Sequence, residues 1–321
     1  CTPYHFKNIC KKNNLIIQHL INPCLFPKAM KNNIELLGAK KANMRDGVSI
    51  TKFLFWLKVE MIVEKTDEIK AADYLLNLRE KNDLFYSSSF DTISAFGSHA
   101  ALPHYRVNKD LNMSFKNNSV FLFDSGAQYK DGTTDITRTI IIGTPTEEQK
   151  DRFTRVLKGH IKISQEIFSI DTKGSQLDHL ARQFLQEVNC DYDHGTGHGI
   201  GSFLSVHEGP QRISKISSES EGFIKEGMII SNEPGYYKEG EYGIRIENLM
   251  VSCVKNIDEP NLLCFETISW APIDIDLIKN ELLDKKEIKW INNYHKKVYQ
   301  KISPSLNINE REWLYSVTSA I

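Results

Sequence analysis

Asp124, Asp135, His198, Glu233 and Glu247 are residue types that bind metal ions, and most of them sit on or beside an apolar, strand-like run: "VFLFDSG", "DGTTDITRTIIIG", "GTGHGIG", "IISNEPGYY" and "GIRIENLMVS". Taken singly, each has an ordinary explanation. Aspartates beside turns are commonly turn-formers or caps. A glutamate next to a strand could pair with Arg245 or lie on a wet face, and a single histidine is more often a packing or surface residue. Taken together they are harder to accommodate. Four carboxylates buried in one place cost several kcal/mol per charge or must stay protonated, whereas two divalent cations would bring four positive charges to offset them. The set therefore has the composition of a metal site. The turn-rich "YKDGTTD" between Asp124 and Asp135 predicts a hairpin that returns the second aspartate to the first.

His198 lies in "YDHGTGHGIGSFLSVHEGP", which holds two further histidines, His194 and His207, among five glycines. A dinucleotide fingerprint needs glycines at i, i+2 and i+5, and the last position here is Ile200, Ser202 or Leu204 in the three frames. No lysine falls in the stretch, so it is not a Walker loop either. Small residues also suit a metal-facing strand crossed closely by substrate backbone.

The elements that must position these residues alternate. The first thirty residues read as a connector from an upstream region, since the chain starts at Cys1 with no charged and apolar leader. A helical stretch is predicted from about Ile34 to Met61, and a second helix after an N-cap at Thr66. Strands and turns follow from Phe90 to Gly143. Thr146 to Gln149 spells a capping box that opens a third helix, and Leu177, Leu180, Ala181, Phe184, Leu185 and Val188 define a fourth from about Ser175 to Val188. Strands return through "GMIISNEPGYY", "GIRIENLMVSCV" and "CFETISWAPI". Helices then strands, twice over, imply an α+β fold of two halves facing across a cleft, spanning 31–272. Residues 273–321 turn polar and helical, with Trp290, Tyr294, Trp313 and Leu314 as anchors for docking on the domain or on a second copy.

Composition bounds the chemistry. At 321 residues, 40% hydrophobic and 25% charged, the chain is of ordinary globular type. A net charge of -1 argues against a nucleic-acid surface, and no apolar run of about 18 residues would span a bilayer. The six cysteines, Cys1, Cys10, Cys24, Cys190, Cys253 and Cys264, form no CxxC pair, which fits reduced thiols and a cytoplasmic setting.

In the order Asp, Asp, His, Glu, Glu and in the spelling of "DSGAQYKDGTTD", "HGTGHGIG", "NEPGYY" and "GIRIEN", the chain resembles the pita-bread metallopeptidases, most closely the long eukaryote-type aminopeptidase P branch. The likeness runs from about Pro23 to the C-terminus. It implies a curved antiparallel sheet with outer helices and pseudo-twofold halves, and removal of an N-terminal residue that precedes proline. By position it implies Asp124 on one metal ion, His198 and Glu233 on the other, and Asp135 and Glu247 bridging, with a hydroxide between the ions. Manganese is the first choice of metal, with zinc and cobalt also compatible with such ligands. Glu233 is implied as the proton shuttle and His207 as the donor to the substrate carbonyl, while His194 and His104, in "LPHY", are implied at the substrate pocket. One departure stands out: Gly97, Ser98 and His99 replace the branch's Gly-Pro-Asn, which touches no metal ligand. Prolidases and methionine aminopeptidases share the five ligands but match the histidine segment less well. Non-catalytic binding proteins of this fold have typically lost ligands that are all present here.

Overall fold

A computed structural model describes residues 3–18, 20, 22–216 and 221–321; Cys1 lies outside them. Helices α1 (Tyr4–Lys12) and α2 (Leu25–Ala29) fall in the stretch expected as a connector, and α1 has no buried residue. Helix α3 (Asn33–Phe55) starts at a capping box: the Asn32 side chain accepts from the Ile34 and Glu35 amides, and Glu35 accepts from the Asn32 amide. It runs on into a π-helical turn (Trp56–Glu60), so the helical stretch expected to about Met61 is present, and there Trp56 stacks on Tyr74 with ring centroids 4.2 Å apart. Helix α4 (Glu68–Glu80) corrects an expectation. Its N-cap is Asp67, whose carboxylate accepts from the Lys70 amide, while the Thr66 hydroxyl donates to the Ile62 carbonyl instead. Both residues are good caps in isolation; the neighbouring turn that Thr66 closes decides between them.

Strands β1 (Phe85–Ser88), β2 (Ile93–Phe96), β3 (Ser119–Ser125), β4 (Ala127–Tyr129), β5 (Gly132–Thr133) and β6 (Ile136–Ile142) complete the first half, in two antiparallel sheets ordered β2-β3-β6 and β1-β4-β5. The hairpin expected from "YKDGTTD" is present: β3 pairs with β6 so that Asp124 faces Thr137, two residues past Asp135. The second half opens with α5 (Glu147–Ser164) behind the predicted Thr146/Gln149 capping box. After β7 (Ile167–Ser169) comes α6 (Asp178–Gln186), preceded by a 3-10 turn at Gly174–Gln176, so the continuous helix expected from Ser175 is split. Then follow β8 (Gly197–His198), β9 (Arg212–Ile213), β10 (Ile229–Asn232), β11 (Gly235–Lys238), β12 (Tyr242–Arg245), β13 (Asn248–Val254) and β14 (Leu262–Thr267). The main sheet here is antiparallel, ordered β10-β13-β14-β7. No helix among the described residues is long and apolar enough to cross a membrane.

The halves are joined through a buried arginine. Arg138 on β6 donates to the backbone carbonyls of Glu247, Ala271 and Pro272, to the Asn248 side chain and to the Tyr294 hydroxyl. Tyr294 belongs to α7 (Lys285–Ile302), which with α8 (Ile308–Val317) buries Ile291, Val298, Ile302 and Leu314 in the same core as Phe153, Leu157 and Ile244. The C-terminal helices therefore help fix the strands that carry the acids.

Two buried histidines near this junction make stability depend on pH. His160 is held between the Asn232 carbonyl and the Asn248 side chain, and His295 accepts from the Ile273 amide. Burial, then the nearby Arg138 charge, lowers His160 to about 3 and His295 to about 4. Unfolded histidines bind protons as pH falls through about 6.5, while these two stay neutral until pH 3 to 4. Over that window each of these two histidines binds more protons unfolded than folded, so each takes stability away as pH falls. Relative to wild type, the urea midpoint of His295→Gln should therefore rise between pH 7 and pH 4.5; a constant difference across that range would contradict this account.

Candidate metal centre

Each acid sits where a strand ends. Asp124 is near the end of β3, Asp135 just before β6, Glu233 just after β10 and Glu247 just before β13. Because Asn232 pairs with Asn248, the last pair of β10 and β13 delivers Glu233 and Glu247 side by side. His198 on β8 completes the group: its Nε2 is 3.5 Å from Asp135 Oδ2 and 3.2 Å from Glu233 Oε1. Ligand atoms of Asp135, His198 and Glu247 all lie within 4.8 Å of one another. Asp124, Asp135, His198 and Glu233 line one cavity of about 380 Å³ together with His104, His194 and His207. Glu247 lies beneath it, only 1% exposed.

Three of the four acids already have one oxygen engaged. Arg245 donates to Asp124 Oδ2 at 2.8 Å, Thr137 to Glu247 Oε2 at 2.7 Å and Ser231 to Glu233 Oε1 at 2.9 Å. Asp124 Oδ1, Asp135 Oδ1 and Glu247 Oε1 are buried with no hydrogen-bond partner. Buried carboxylate oxygens left without partners are expensive unless a cation meets them. The donor set, oxygens plus one imidazole, suits divalent ions. His198 Nδ1 lies 3.1 Å from its neighbour's carbonyl, Gly199 O, which as a donor leaves Nε2 free to ligate. Burial, and then the neighbouring acids, push Asp135 and Glu247 well above the usual carboxylate range. Burial raises Glu233 to about 7, with Arg245 pulling the other way. Bare, the cluster cannot ionise fully; with cations it can.

The glycines have a different job from the one the sequence suggests. A Cβ at Gly197 would meet the Ser231 carbonyl at 2.0 Å, and one at Gly199 the Glu208 carbonyl at 2.0 Å. It is the protein's own backbone, packed against β8, that excludes side chains and brings His198 within reach of Glu233.

The three remaining histidines differ. His207 packs edge-on against His198, ring centroids 4.3 Å apart, and burial lowers its pKa. His194 is 2.8 Å from the Tyr237 hydroxyl through Nε2 and 2.8 Å from Gly195 O through Nδ1. Arg245 donates to the same hydroxyl at 2.6 Å, so the hydroxyl donates in turn to His194. A chain therefore runs Asp124, Arg245, Tyr237, His194. Sequence reasoning had offered Arg245 as a partner of Glu247. The structure gives it to Asp124, because β12 ends at Arg245 and β13 begins at Asn248, and the two side chains leave on different strands. Tyr237 had no signal beyond its place in "PGYY". Replacing it by Phe removes an acceptor from a buried arginine and a donor to His194. Tyr237→Phe should lower unfolding free energy by about 1–3 kcal/mol; an unchanged denaturant midpoint would show the hydroxyl to be idle.

His104 lines the cavity on a loop fixed around Glu68, a residue not singled out in the sequence. Glu68, fully buried, accepts from the Phe96 and Met113 amides and the Tyr105 hydroxyl, and lies 2.9 Å from His99 Nδ1. His99 also stacks on Tyr105, ring centroids 4.4 Å apart. The unusual Gly97-Ser98-His99 thus has a local use: Gly97 takes the left-handed backbone, φ 56°, and His99 clamps the residue next to His104.

Residues 38–252 match metallopeptidase family M24, and residues 261–321 match the C-terminal region of that peptidase family. A protein of Aspergillus flavus named "Probable Xaa-Pro aminopeptidase P" is 42% identical over 313 residues, covering 95% of this chain and 48% of its own length. The crystal structure of X-prolyl aminopeptidase from Caenorhabditis elegans, described as a cytosolic enzyme with a di-nuclear active site, superposes with TM-score 0.88 at 37% identity, over 94% of this chain and 50% of that one. The prolidase from Pyrococcus furiosus superposes with TM-score 0.64 at 27% identity, over 77% of this chain and 66% of that one. The chain spans about half the length of the curated relatives it matches.

Proposed function

Because the chain belongs to metallopeptidase family M24, and so has the pita-bread fold, we propose that it is the catalytic part of an aminopeptidase that releases an N-terminal residue preceding proline. Residues 31–272 would form the catalytic domain and 273–321 its supporting C-terminal helices. The observation that carries the reading is the clustering of ligand atoms of Asp135, His198 and Glu247 within 4.8 Å of one another, with unpartnered buried oxygens on Asp124, Asp135 and Glu247, at a cavity also lined by histidines.

Asp124, Asp135, His198, Glu233 and Glu247 are the residues that would hold two divalent cations, manganese being our first choice. Asp124 would serve one ion, with His198 and Glu233 serving the other and Asp135 and Glu247 both. Ions so bound would acidify the attacking water and polarise the scissile carbonyl. The rest falls to side chains. Glu233, at the cavity wall, would carry the water's proton to the leaving proline nitrogen. His207 would donate to the carbonyl oxygen as it gains charge. His194 and His104 would bound the peptide, His194 through its tie to Tyr237. An Xaa-Pro bond has no N–H, so recognition must come from the ring and the free amino terminus. The relative's description as cytosolic and the free described cysteines favour a cytoplasmic setting. Pairing of two copies through 273–321 is part of the same reading, tested by sedimentation.

The deciding experiment measures metal content and hydrolysis of Arg-Pro-Pro, of Xaa-Pro dipeptides and of Met-Ala peptides on one sample. Tripeptide cleavage with about two bound ions per chain supports the proposal. Dipeptide cleavage alone indicates a prolidase, Met-Ala cleavage a methionine aminopeptidase, and no bound metal a binding protein.

A further inference from the structure

Away from the cavity, the second half places two thiols face to face. Cys253 on β13 and Cys264 on β14 are direct antiparallel partners, with Sγ atoms 3.6 Å apart. Ladder bonds join the Lys255 amide to the Leu262 carbonyl and the Ile268 amide to the Leu249 carbonyl. Alternation from both sides makes Cys253 and Cys264 a hydrogen-bonded pair, whose Cα atoms are about 5.5 Å apart. That lies within the roughly 4.4–6.8 Å that disulfides span. Both residues are half-buried and line a groove of about 990 Å³ against α7. Lys286, Lys289, Lys297 and Lys301 line the same groove at helical spacing, and none has a salt-bridge partner among the described residues.

We propose that Cys253 and Cys264 are a reversible modification site: they close to an intramolecular disulfide by exchange with a small anionic disulfide of the oxidised-glutathione class, attracted by the groove lysines. The Cys264 thiol loses its proton to solvent and attacks one sulfur of the small disulfide, forming a mixed disulfide and expelling one thiolate. Cys253 then loses its proton and attacks the Cys264 sulfur, closing the bridge and expelling the second thiolate. The two leaving thiolates take up the two protons, so two cysteines are oxidised as one small disulfide is reduced to two thiols. Burial, and then its hydrogen bond with Cys264, raises the Cys253 thiol to about 12, which keeps little of it as thiolate and makes closure slow. The pair therefore follows a sustained oxidising poise rather than a brief pulse.

The test equilibrates the full chain in buffers of varied reduced-to-oxidised glutathione ratio, quenches with acid, alkylates, and maps the peptides by mass. The expected result is loss of two alkylation sites, at Cys253 and Cys264, restored by dithiothreitol. Cys253→Ser should stop at a glutathione adduct on Cys264, and both Cys→Ser variants should keep the peptidase activity of the reduced protein. Lys289→Glu with Lys297→Glu should slow oxidation by glutathione disulfide several-fold but leave oxidation by neutral hydroxyethyl disulfide unchanged. Full alkylation at every ratio, a stable glutathione adduct on the wild type, or bridges between molecules on a non-reducing gel would each overturn the proposal. Equal rates for the lysine variant with both disulfides would overturn the role of the groove.

Discussion

Asp135→Asn and Glu247→Gln should each remove nearly all peptide hydrolysis and lower the metal bound per chain. Each substitution replaces a buried carboxyl group that has one unpartnered oxygen with a neutral amide. Changes to groups that merely support a ligand already cost about 10- to 100-fold in affinity or activity, so loss of a charged ligand should cost at least about 100-fold. Misfolding is separable from ligand loss by the sign of the stability change. In the metal-free protein, Asp135 is disfavoured as an anion by burial and by Glu247, Asp124 and Glu233. Removing its charge relieves that crowding, so metal-free Asp135→Asn should resist urea at least as well as metal-free wild type. Added Mn²⁺ should stabilise the wild type and should do less for the variants. Unchanged metal stoichiometry with near-normal turnover in both variants would end the two-metal reading, and a collapse of the metal-free variants would show the acids to be structural.

His207→Ala and His198→Ala should part company although their rings touch. His198 Nε2 sits among the acids, so its removal should lower both metal content and rate. His207 lines the cavity and packs edge-on against His198. If it supplies one donor to the developing oxyanion, its loss should cut turnover by roughly 10²–10³-fold and leave metal content at the wild-type level. Metal analysis and tripeptide turnover on both variants, side by side, give the answer. Loss of metal from His207→Ala with retention in His198→Ala would reverse the two assignments.

Much of this protein could be read from local pattern. The Thr146/Gln149 capping box and the hairpin between Asp124 and Asp135 depend on residues a few positions apart. Their sequence neighbours supply most of the physical partners, so spelling suffices. The four candidate acids and His198 stood out for another reason: acids and an imidazole flanking apolar strands are hard to explain without cations, wherever the chain takes them, whereas His104, His194 and His207 were marked only by the family resemblance. What the sequence could not decide is which distant groups meet. Arg245 lies two residues from Glu247 yet binds Asp124, 121 positions away. Glu68 gathers His99, Tyr105 and the Met113 amide around the His104 loop. Thr66 and Asp67 are equally good caps until Thr66 is used to close the preceding turn. Gly197 and Gly199 look like room for a ligand until β8 is seen pressed against other backbone. Cys253 and Cys264 show no sequence motif, and only the register of β13 on β14 sets them opposite each other. Side-chain type and local spacing fix what a residue can do; strand register and the packing of the two halves, set by burial of the whole core, fix what it does it to.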